Sequence, residues 1–112
     1  MSDPKQTVLD VLLAAREQVD TLVNSLAPSS DEEEAEVRSL RDQSESLTVA
    51  INELLAKPIP GLSEGMVERV AALQKASARL LQVEINLVGV KEAIAITDQI
   101  VSIAVRIVAP GP

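Results

Sequence analysis

The side chains in this chain that could do covalent or acid–base chemistry are hydroxyls, amines, guanidines and carboxylates, because histidine and cysteine are both absent. Their absence removes the commonest general base, the usual zinc and copper ligands, the thiolate nucleophile and every disulfide. Catalysis would then fall to carboxylates of shifted pKa, and no pair of them stands apart. Glu64 and Glu68 sit beside Arg69 on a presumed outer face, and Asp31, Glu32, Glu33 and Glu34 cluster where a helix begins. A carboxylate site for calcium or magnesium needs oxygen ligands at loop spacing around a turn glycine, and the sequence has no such loop. Gly61, Gly65, Gly89 and Gly111 neither cluster nor precede a Lys-Ser/Thr pair, so there is no phosphate-cradling loop. The expectation is a protein that is not an enzyme and has no catalytic, cofactor-binding or metal-binding residues.

Composition narrows the partners too. A formal charge of -7 repels phosphate backbones and anionic lipid surfaces. With no Phe, Tyr or Trp there are no stacking platforms for bases and no aromatic anchors for an interface. Nucleic acid is therefore not expected as a partner. The segment from Ile85 to Val108 is the longest of low charge, yet it holds Lys91, Glu92, Asp98 and Arg106, so no membrane span is expected. Asp3 and Pro4 stand where a secretory signal would be basic and then apolar. The expected location is the cytoplasm, with non-classical export left open.

The elements that must position these residues are helices. The 46% hydrophobic content is almost wholly Leu, Val, Ile and Ala, enough for an aliphatic core in one domain over residues 1–112. Asp3 before Pro4 starts a first helix of about 3–27, whose stripe Val8, Leu12, Ala15, Val19, Leu22 and Leu26 alternates steps of four and three. Pro28 ends it. Ser30 and Glu33 form a capping box that opens a second helix of about 31–56, with the stripe Val37, Leu40, Ser44, Leu47, Ile51 and Leu54. Its acidic first turn suits the positive end of the helix dipole. Pro58 and Pro60 end that helix, and Ser63 caps the next.

No proline follows until Pro110, and the stripe Leu73, Ala76, Leu80, Val83, Leu87, Val90, Ile94, Thr97, Val101, Ala104 and Val108 runs on without a stutter. The spacing favours one long helix of about 63–109, continuous or kinked near Gly89, which would reach roughly 70 Å. The fold expected is all-α: an antiparallel helical bundle in which the hairpin of the first two helices packs on this long C-terminal helix. The alternative is a four-helix up-down bundle broken at 86–89. Ser44 and Thr97 interrupt apolar stripes, where each can bond a carbonyl one turn back and help to fix register.

Beyond Gly89 a second apolar line, Ile96, Ile100, Ile103 and Ile107, leaves the helix aliphatic around most of its circumference, and such a helix must be enclosed. The candidate interface residues are therefore Ile94, Ile96, Ile100, Val101, Ile103, Val105, Ile107 and Val108. Residues 1–60 hold twelve acids and five bases, whereas residues 61–112 hold five of each, so a neutral aliphatic rod adjoins an acidic hairpin. The expectation is a protein–protein interaction module that self-associates, as a dimer in the first instance, or docks a partner protein through its C-terminal helix. The alternative is a carrier of lipid or other hydrophobic ligands, or a helical protein that coats a granule or membrane surface.

Overall fold

The computed structural model describes residues 4–56 and 64–108. They form four helices: α1 (Pro4–Ser25), α2 (Asp31–Ala56), α3 (Glu64–Leu80) and α4 (Leu87–Val108). Among the described residues there is no strand. The chain is an all-α helical bundle of 47 × 23 × 23 Å. The caps expected at Asp3 and Ser63 lie outside the described residues.

The expected stripes of the first two helices are their buried faces. Val8, Leu12, Ala15, Val19 and Leu22 on α1 and Leu40, Leu47 and Leu54 on α2 are fully enclosed. Each of these leucines, buried among aliphatic neighbours, is worth about 2–5 kcal/mol against truncation to alanine. Ser44 keeps its place in the α2 stripe, but its hydroxyl does not turn back to its own helix. It donates to the Asp20 carboxylate of α1 at 2.7 Å. The hydroxyls that do bond back one turn are those of Thr21, to the Glu17 carbonyl, and Thr48, to the Ser44 carbonyl.

The third element corrects the expectation of one long helix. It is two helices, with the chain leaving helical geometry at residues 81–86, so the up-down alternative holds and its break lies a few residues earlier than 86–89. α3 tightens as it ends, since the Gln82 and Val83 amides donate to the carbonyls only three residues back. Asn86 then caps α4: its side-chain oxygen accepts from the Gly89 amide at 2.8 Å, and its carbonyl accepts from the Val90 amide at 2.9 Å. Gly89 is not the break. It sits in the first turn of α4, where the Glu84 carbonyl crosses so closely that a Cβ would come within 1.7 Å of that oxygen.

Side-chain pairs give the helix directions. Asp20 meets Ser44 and Arg16 meets Thr48, so α1 and α2 are antiparallel. Glu32 meets Lys91 and Gln43 meets Asp98, so α2 and α4 run parallel. Around the bundle the order is α1, α2, α4, α3, with α1 touching α4 across one diagonal and no α2–α3 packing among the described residues. Two antiparallel hairpins thus lie side by side, and both turns fall at one end. Arg79 sits one residue before the end of α3 yet reaches Gln99, twelve residues into α4. α3 therefore stops about two turns short of the start of α4, and residues 81–86 climb the difference.

Candidate interaction surface

With the chain divided at 81–86, α4 is free to rotate, and it buries a line drawn from both of its apolar rows. Val90, Ala93, Ile96, Thr97, Ile100, Ala104 and Ile107 face inward. The small residues Ala93 and Ala104 lie along the middle of this face, with Ile96, Ile100 and Ile107 to one side and Val90 and Thr97 to the other. The enclosure demanded by the aliphatic surface of α4 is met by the chain's own helices.

The candidate interface residues therefore separate. Ile96, Ile100 and Ile107 belong to the core, with Ile100 at 0% exposure, and cannot reach another molecule while the bundle is closed. Ile94, Val101 and Ile103 are half-buried against that core. Val105 is 46% exposed. Val108 is the last residue of α4, and its side chain is outside the described residues.

Val49 and Leu55 on α2 and Val67 on α3 are exposed apolar side chains, and three more lie at the α3–α4 turn. Leu81 is 55%, Ile85 57% and Val88 66% exposed. None of the three is among the interface candidates, which all lie beyond Gly89. The turn itself had a signal: Asn86 followed three residues later by Gly89 is a cap followed by a first-turn residue without a side chain.

The α1–α2 turn lies beside it. Leu26, Pro28 and Val37 from that side and Leu87 and Val90 from α4 line a groove of about 200 Å³, with Glu33 and Asn86 at its lip. Both walls are held by caps. Ser30 Oγ accepts from the Glu33 amide at 3.1 Å, while the Glu33 carboxylate reaches back to the amide and hydroxyl of Ser29, one residue before the cap amide expected to receive it. Asn86 Nδ2 donates to the Glu84 carboxylate at 3.0 Å. Lys91 pairs with Glu32 at 3.1 Å across the two hairpins, the ion pair seen among the described residues. Being exposed, it is worth at most about 1 kcal/mol and registers the hairpins more than it stabilises them.

The larger depressions are open, and their linings mix polar and apolar groups. One of about 660 Å³, where α3 stops short, is lined by Arg79, Gln82, Glu92 and Gln99 beside Val83 and Ile96. Among the described residues no group of three or more carboxylates is placed to hold a metal ion, and no helix is long and apolar enough to cross a membrane. Comparison with protein-family models, with curated proteins and with solved structures finds no match.

Proposed function

We propose that this chain is a non-enzymatic protein–protein interaction module that docks another protein at the turn end of its bundle. The observation that carries the reading is the exposure of Leu81, Ile85 and Val88, three aliphatic side chains within eight residues, in the segment that leads into the groove-lining Asn86, Leu87 and Val90. Exposed aliphatic groups that adjoin an apolar-lined groove on a small, charged protein suit a surface that another molecule covers. Helix caps hold the turn in one shape, which lowers the ordering cost of binding.

Self-association through the flank of α4 has less material to work with, since it would rest on Ile94, Val101, Ile103 and Val105 without Ile96, Ile100 and Ile107. The carrier reading is weakened because the depression of about 660 Å³ is open and has charged and amide side chains in its lining, whereas an acyl chain needs an enclosed apolar space.

The test is a photo-crosslinking residue placed at Val88 in the native cell, with the same residue at exposed Ser102, near the far end of α4, as comparison. A discrete adduct with another polypeptide from position 88 and none from position 102 is expected. Adducts from neither position, or from both alike, would contradict the reading. Light scattering across concentrations is expected to give the mass of one chain; a dimer that Val105→Asp dissolves would return the interface to α4.

A further inference from the structure

We infer that the partner presents a cationic amphipathic helix, aliphatic along one face and rich in lysine or arginine beside it, which lays an aliphatic side chain into the groove between the two turns. This rests on the interaction reading above and names the chemistry of what docks there. The groove supplies the apolar half of the argument: Leu26, Pro28, Val37, Leu87 and Val90 form its walls, and exposed Ile85 immediately precedes Asn86 at its lip. Its dimensions suit a single branched aliphatic side chain and are too small for a whole lipid tail.

Charge supplies the other half. Residues 26–38 and 79–92, around this end of the bundle, carry seven carboxylates against one ammonium and two guanidinium groups, those of Arg38 and Arg79. The single ammonium, Lys91, is taken by Glu32. Asp31, Glu34 and Glu36 have no ion pair among the described residues, and Asp31 and Glu34 are exposed beside the groove wall that α2 builds. A second copy of the chain would bring the same negative end against this one, and anionic phosphates or lipid headgroups would be repelled for the same reason. A helix whose aliphatic face is flanked by cations satisfies the groove and its rim together, by the helix-in-groove mode of recognition.

The experiment uses the full chain, labelled with nitrogen-15, and three synthetic peptides of about 18 residues. The first is a leucine/lysine amphipathic helix, the second keeps the leucine pattern with glutamate in place of lysine, and the third keeps the lysines with serine in place of leucine. The first peptide is expected to shift amide resonances of residues 26–37 and 81–90 with an affinity that falls as salt rises. The other two are expected to leave those amides unmoved. Ile85→Glu and, separately, Glu34→Lys, both at exposed positions that leave the core intact, are each expected to weaken binding by about tenfold or more.

The inference is overturned if the glutamate peptide binds as well as the lysine peptide, if the serine peptide moves the same amides, or if the shifts fall elsewhere on the bundle. Anionic lipid vesicles that shift these resonances where the leucine/lysine peptide does not would also overturn it, in favour of a membrane surface. Loss of peptide binding with the position-88 crosslink retained would refute the cationic helix alone and leave the interaction module standing.

Discussion

At the scale of single residues, the structure turns on Gly89 and Asn86. In an uninterrupted helix, replacing Gly89 by alanine would stabilise the protein by about 1 kcal/mol, because glycine is the poorer helix former. Here the added methyl meets the Glu84 carbonyl, so the turn must move to admit it. Gly89→Ala is therefore expected to destabilise by about 1–3 kcal/mol in urea unfolding. The sign of the change, more than its size, separates the two folds. Asn86→Ala removes the cap on the Gly89 amide and is expected to cost about 1 kcal/mol in the same assay. Thr97 behaves differently, since its buried hydroxyl has no hydrogen-bond partner among the described residues. Thr97→Val keeps the shape and removes the unsatisfied oxygen, so unfolding is expected to show no loss, or a gain of about 1 kcal/mol. A loss of stability there would mean that the hydroxyl serves the fold through a bond not seen in this arrangement.

At the scale of elements, α1 and α2 were legible because each signal agreed with the next. Proline, cap and stripe all marked the same boundaries, and α2 runs from Asp31 to Ala56 as its capping box and Pro58 imply. The boundary between α3 and α4 was not legible in the same way. Val83, Leu87 and Val90 continue the heptad arithmetic straight through the turn, and periodicity cannot distinguish a stripe that persists from two stripes that happen to share a phase. What decides is tertiary: a continuous rod would leave its distal half uncovered, and folding back at 81–86 lets α1, α2 and α3 enclose it. The interface candidates inherited that ambiguity. α4 is covered largely by its own chain, which claims Ile96, Ile100 and Ile107 and leaves Val105 outside. A pair of variants makes the division measurable. Ile100→Asp buries a charge without a partner and is expected to remove more than about 4 kcal/mol of stability, while Val105→Asp is expected to change it by no more than about 0.5 kcal/mol. Equal effects at the two positions would mean that α4 is not packed in this rotation.

At the scale of the whole molecule, charge is unevenly placed along the bundle's length, while exposed aliphatic side chains occur at both ends, Leu55 and Val67 at one and Leu81, Ile85 and Val88 at the other. The turn end gathers carboxylates around exposed aliphatic groups, and the acidic excess of the first hairpin lies partly there, at the N-terminal turn of α2. That arrangement depends on both turns sharing one end, which in turn depends on α4 folding back against α2. Overall shape reports this directly. Small-angle X-ray scattering extrapolated to zero concentration is expected to give a radius of gyration close to the 14.5 Å of the Cα trace and a maximum dimension close to its 47 Å extent, both enlarged only by side chains and hydration. A particle extending to about 70 Å, the length of an unbroken helix over residues 63–109, would contradict the closed four-helix bundle and the surface built on it.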